Sequence, residues 1–227
     1  MAKHLYHLAA ESEAYSGKRD ELLAAEMELR DQVERVAALR RTLPQGPEMK
    51  DYVFQEGPAD LSRNKKGDFF STRLSELFPP GRDTLVLMHF MFGPDWDEGC
   101  PLCTLWADGY NGVASHLADR TGFAVVARTE VGKFRAYAKG RGWNNLRLLS
   151  SFDSTYTQDF GMEKNGEQRP GVSVFTRGAD GKVRHFYTGG AIMGADQYRG
   201  MDLLSPLWHY FDLLPIGRGD WNPKHTY

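Results

Sequence analysis

Thr84-Leu85-Val86-Leu87-Met88-His89-Phe90-Met91-Phe92-Gly93-Pro94-Asp95-Trp96-Asp97-Glu98-Gly99-Cys100-Pro101-Leu102-Cys103 is the stretch that decides how this chain is read. Its first nine residues are a near-continuous apolar run, the pattern of a strand covered on both faces in a parallel sheet. A Gly-, Pro- and acid-rich loop follows, then two cysteines three positions apart, then a helix-like stretch from Thr104 to Arg120. A thiol at the start of a helix faces backbone N–H groups with no carbonyl partner and the positive end of the helix dipole. Both favour the thiolate and lower the thiol pKa. Pro101 suits the first helical turn, where an N–H has no partner to lose. Cys100 is therefore the expected nucleophile. Cys103, one turn further in, is the expected resolving thiol, on the same helix face.

Working outward, the strand–helix alternation continues. Phe123–Ala127 reads as a strand, Glu130–Gly140 as a helix and Leu146–Leu149 as a strand. Such alternation implies right-handed crossovers in an α/β sheet. Val172–Phe175 and Val183–Tyr187 read as two strands joined by a turn at Gly178-Ala179-Asp180-Gly181. Met201–Leu214 closes the series as a helix. Before the central strand, Tyr52–Phe54 is a short strand, residues 57–67 a polar loop, and Phe69–Phe78 a short helix stopped by Pro79-Pro80-Gly81. A parallel half, then an antiparallel hairpin, then a helix is the thioredoxin-like plan: a central mixed sheet flanked by helices.

Ahead of it lies a polar helix over residues 11–43, ended by Pro44, Gly46 and Pro47. Leu22, Leu29, Val36 and Leu43 recur every seven residues with Val33 beside them, a narrow apolar stripe. It reads either as a dimerisation arm, giving a homodimer, or as a helix packed across its own domain. The expected organisation is a helical arm at 1–48, a thioredoxin-like domain at 49–215 and an extended tail at 216–227.

The 227 residues are 41% hydrophobic and 26% charged, with a formal net charge of −2, the proportions of a globular protein. No block of one charge marks a nucleic-acid or membrane surface. No apolar run has the length of a membrane span, and the first residues do not read as a signal peptide. A cytoplasmic location is the expectation. Two close cysteines in a reducing compartment point to redox chemistry or metal binding rather than to a disulfide framework. A structural zinc site needs four ligands. With no second cysteine pair and no paired-histidine spacing beyond His4 and His7, neither a metal nor a cofactor is expected.

Four further residues are candidates for a supporting role. Pro170 stands before the hairpin, where the thioredoxin plan places a cis-proline facing the cysteines; the alternative is a plain strand-opening proline. His89 occupies the strand position where such folds carry a buried proton acceptor. It reads either as the base that takes the Cys103 proton or as a hydrogen-bonded core histidine. Trp96 and Asp97 precede the cysteines and are expected to cover the sulfurs, although Trp96 reads equally as a surface plug.

The run from His89 to Cys103 resembles the signature of a bacterial family numbered 899 among the domains of unknown function. Arg40–Pro44, Asp51–Phe54, Trp106–Asp108 and Gly171–Phe175 resemble it too. Members of that family are described as predicted dithiol–disulfide oxidoreductases of the thioredoxin-like superfamily. The resemblance implies a thiol–disulfide oxidoreductase, with a disulfide-containing protein or small thiol as substrate and a thiol as reductant. The loop before Cys100 is also similar to that of peroxiredoxins, which implies a thiol peroxidase as the alternative. Peroxiredoxins usually carry Thr or Ser three residues before that cysteine, where this chain has Asp97, whose charge opposes a thiolate. A third reading has both sulfurs binding a soft ion such as copper(I).

Overall fold

The computed structural model describes residues 3–194 and 199–227. It divides into two compact units, residues 1–44 and 45–227. In the first, helix α1 (Glu13–Arg41) starts at Ser12, whose side chain accepts the Tyr15 N–H at 3.2 Å. No residue of α1 is buried, and Leu22, Leu29 and Leu43 of the heptad row are exposed.

The second unit is built on a seven-stranded sheet of order β2-β1-β5-β4-β3-β8-β9. Its strands are β1 (Val53–Glu56), β2 (Phe70–Arg73), β3 (Thr84–Phe90), β4 (Gly122–Ala127), β5 (Leu148–Ser150), β8 (Gly171–Arg177) and β9 (Val183–Gly190). A two-stranded ribbon, β6 (Glu163–Lys164) and β7 (Glu167–Gln168), precedes β8. Strands β3, β4 and β5 run parallel, joined by helices α2 (Pro101–Arg120) and α3 (Val131–Arg141). Strand β8 pairs antiparallel with β3, and β9 with β8. Short helices α4 (Tyr156–Asp159) and α5 (Pro206–Asp212) complete the unit. This is the expected mixed thioredoxin-like sheet. Residues 47–49 run beside β9, through His185 N–H to Pro47 O and Met49 N–H to Val183 O.

One expected element is of the other type. Residues 69–78, read as a helix, form strand β2 followed by a 3₁₀ turn at Leu74–Glu76. Register with β1 pairs Phe54 with Thr72 and Gln55 with Ser71. Of the apolar residues spaced for a helix, Leu74, Leu77 and Phe78 instead close the core behind the turn.

The central strand divides the interior by its period of two. Met88 and Phe90 face a core shared with Cys103, Trp106, Phe134 and Trp143. Leu85 and Leu87 face the opposite core, with Phe54, Leu74, Tyr156 and Phe175. Since both faces are covered, β3 shows no polar alternation. Leu87 is fully buried, so Leu87→Ala should lower unfolding free energy by about 2–5 kcal/mol. Urea denaturation measures this, and a loss below about 1 kcal/mol would mean the second core is not closed over β3.

Candidate active site

Cys100 is the N-cap residue of α2 and Pro101 is its first helical residue. The loop that delivers it is fixed at several points. Cys100 N–H donates to Met91 O at 2.9 Å, and Phe92 N–H to Gln168 Oε1 at 3.0 Å. Gly99 lies so close to the Phe90 ring that a Cβ there would sit 2.4 Å from it, so no larger residue fits behind the nucleophile. The Cys100 carbonyl accepts both the N–H and the hydroxyl of Thr104, each at 2.9 Å. Thr104 Oγ1 in turn bonds Tyr137 Oη at 2.8 Å, which meets His225 Nδ1 at 3.2 Å. Arg141 holds the His225 carbonyl at 2.6 Å and the Asp108 carboxylate at 2.5 Å. The tail, expected to be extended, has no regular structure and is anchored to α3 through Tyr137 and Arg141.

The two thiols are free and differ sharply. Cys100 is partly exposed, and its pKa falls from 9.0 to about 6. The largest cause is a hydrogen bond from the Cys103 thiol; the backbone N–H groups of Cys103 and Leu102 add to it, against an opposing effect of burial. Cys103 is 0% exposed. Burial pushes its thiol well up, and its bond and proximity to Cys100 push further the same way. The pair thus holds one shared proton on the inner sulfur and an anion on the outer one.

Cys100 opens on a cleft of about 400 Å³ lined by Met91, Leu102, Trp106, Pro170, Ile192 and Trp208, with Arg169, Arg199 and Arg218 also on its walls. The indole N–H groups of Trp106 and Trp208 are buried without a partner among the described residues. Arg199 and Arg218 are held by Asp202 and Asp212.

Pro170 shares this cleft with Cys100. Its peptide bond is not cis: every peptide bond in the described residues is trans. The chain leaves β7 at Gln168 and continues directly into β8 at Gly171, so the plain strand-opening reading holds. The Arg169 N–H is taken by Met162 O at 2.8 Å.

His89 is a second correction. Being odd-numbered on β3, it points away from the cysteines, into the opposite face. There it stacks on Tyr156 with ring centroids 5.1 Å apart and bonds Ser173 Oγ at 2.8 Å. Burial lowers its pKa to about 3, so it stays neutral in ordinary buffers and cannot serve Cys103. Trp96 folds back over Gly93, where a Cβ would lie 2.8 Å from its Nε1, and Asp97 is exposed. Neither lines the cleft; Trp96 is the plug of the alternative reading. Thr104, Trp208 and Arg218 were not marked by sequence reasoning, and Met91 and Trp106 stood only within the family-like runs, with no role assigned. Of the first three, Thr104 carried a signal, standing four residues after Cys100 on the helix.

A central mixed sheet with two thiols at the mouth of its first crossover helix is a thioredoxin-like fold. The chain belongs to the family of bacterial proteins of unknown function DUF899, whose model matches residues 6–227. No curated protein matches it. Among solved structures it is similar to reduced Prx3 of Vibrio vulnificus in complex with hydrogen peroxide, with 13% identity, 72% of this chain and 98% of that chain covered, and a TM-score of 0.50. It is also similar to AhpC of Mycobacterium bovis (17% identity, 79% and 98% covered, TM-score 0.47) and to peroxiredoxin Q of Xanthomonas campestris (14%, 70% and 90%, 0.43). At these identities the likeness is one of fold. No helix among the described residues is long and apolar enough to cross a membrane.

Two pH effects follow from the thiol pair. Alkylation of Cys100 by iodoacetamide should rise with pH through a midpoint near 6, and His89→Gln should leave that midpoint unmoved. The reduced protein should also gain stability as pH rises from about 6 to about 9, because native Cys100 releases its proton there while the unfolded chain keeps it. A midpoint near 9, or one that shifts in His89→Gln, contradicts this assignment of the anion.

Proposed function

We propose that the protein is a thiol–disulfide oxidoreductase working through Cys100 and Cys103. What carries the reading is the asymmetry of the pair: an accessible thiolate at a helix N-terminus, with a protonated, fully buried thiol bonded to it. Cys100 Sγ attacks one sulfur of a substrate disulfide. The Cys100–substrate S–S bond forms, the substrate S–S bond breaks, and the other substrate half leaves as a thiolate. Cys103 then attacks Cys100 Sγ, closing the Cys100–Cys103 disulfide and expelling the second substrate thiolate. The substrate is thereby reduced by two electrons and the pair oxidised. An external thiol returns the pair to the dithiol.

The proton of Cys103 has a defined route in this scheme. His89 lies across the sheet, and no other histidine bonds either sulfur among the described residues. The departing substrate thiolate, formed beside Cys103, is the group that accepts it. Once Cys100 is in the mixed disulfide its charge is gone, and one of the causes that raises the Cys103 pKa disappears with it. Attack by the inner thiol is thus eased at the step that needs it. The trans Pro170 and the apolar walls shape the cleft for the substrate half that stays bound.

The experiment combines trapping with competition. Cys103→Ser should accumulate a mixed disulfide with oxidised glutathione, seen as a single adduct by intact mass, whereas Cys100→Ser should form none. Wild-type protein should close one internal disulfide under the same conditions. In stopped flow, the reduced pair should react faster with hydroxyethyl disulfide than with hydrogen peroxide at equal concentration. Faster peroxide consumption, with dimedone-reactive Cys100 in Cys103→Ser, would replace this reading by the peroxidase one.

A further inference from the structure

The residues ahead of α1 bring together side chains that the thiol chemistry does not use. Among the described residues, His4, His7 and Glu11 are the one group of three His, Cys, Asp or Glu whose ligand atoms all lie within 4.8 Å of one another. Glu11 Oε2 stands 3.4 Å from His4 Nε2 and 3.1 Å from His7 Nδ1. Zinc bonds of about 2.0–2.1 Å at tetrahedral angles separate ligand atoms by about 3.3 Å. One small ion at the centre of the three atoms would meet them with little movement.

The surroundings are those of a held site rather than a chance surface cluster. The side chains of His4 and Glu11 are only 4% and 8% exposed. Glu11 Oε1 accepts the Leu8 N–H at 3.0 Å, leaving Oε2 for the two imidazoles. Asp20, on the second turn of α1, accepts the His4 N–H at 2.9 Å and faces His4 Nδ1 at 2.6 Å, both through Oδ1. A carboxylate on Nδ1 puts the ring proton there and turns the Nε2 lone pair toward Glu11, the arrangement found behind metal-bound histidines. The two rings lie 4.0 Å apart, on the same side of the segment. His7 is half exposed, so the fourth position opens to solvent.

We propose that His4 Nε2, His7 Nδ1 and Glu11 Oε2 form a binding site for a divalent transition ion of the zinc class, with Asp20 orienting His4 from behind. Two imidazoles and a carboxylate are a donor set for zinc, and also for cobalt(II) or nickel(II), rather than for calcium or magnesium. The ion would cross-link the segment before α1, which the Asp20 bond to His4 already ties to the second turn of that helix. The site contains no sulfur, so it stands or falls independently of the reading of Cys100 and Cys103.

Isothermal titration of untagged, chelator-stripped, full-length protein with zinc chloride tests it. One zinc ion per chain is expected, with the same affinity in the Cys100→Ser/Cys103→Ser double variant. His7→Ala, at an exposed position, should weaken binding at least about tenfold without altering the circular dichroism spectrum, and Asp20→Asn should do so about 10–100-fold. Cobalt(II) bound in place of zinc should show no thiolate-to-metal absorption band. Absence of stoichiometric binding in the double variant, or unchanged affinity in His7→Ala, would overturn the site.

Discussion

A helix has backbone N–H groups at its start that no carbonyl of its own can satisfy, and here the group placed against them is the sulfur of Cys100. The rest of the unit serves that placement. Pro101 removes one donor and pre-sets the first turn; the N–H groups of Leu102 and Cys103 remain to meet the anion. Cys103, three residues on, lies on the same face but one turn deeper, where the core of Met88, Phe90 and Trp106 keeps water out. Burial that penalises a second charge is what makes the inner thiol a donor and the outer sulfur an acceptor. Two identical side chains acquire opposite roles from a difference in depth of a single helical turn.

The period of the central strand sets the second constraint. Successive side chains of β3 alternate between two cores, and chemistry on one side is insulated from titratable groups on the other. Met88 and Phe90 pack behind the cysteines, while His89 belongs with Tyr156, Phe160 and Ser173. The sheet is thus more than a platform. It separates the sulfur centre from a small polar cluster around His89, Ser173 and Thr188 that is satisfied internally.

How much of this was legible depends on whether the relevant physics is local in sequence. The fold was, because the parallel strands, the crossover helices and the Gly178–Gly181 turn each carry their own periodicity or turn chemistry. The cysteine pair was too, since a strand, a loop and a helix start are all contiguous. The side of the sheet that His89 occupies was not: a strand buried on both faces has no polar alternation to show which residues point where. Residues 69–78 misled for a related reason. Their apolar spacing fits a helix, and only pairing with a segment distant in sequence, as Phe54 with Thr72, makes them a strand. The state of the Arg169–Pro170 bond and the lining contributed by Trp208 and Arg218 depend on how distant segments meet, which no local pattern records.

The chain's last residues have a bearing on its first turn of α2 that their sequence position hides. From His225 a relay of contacts passes through the Tyr137 hydroxyl and Thr104 to the carbonyl of Cys100 itself. A peptide group that carries the nucleophile is therefore polarised from one side by whatever sits at position 225. Loss of the His225 ring would alter the reactive centre itself rather than a peripheral segment.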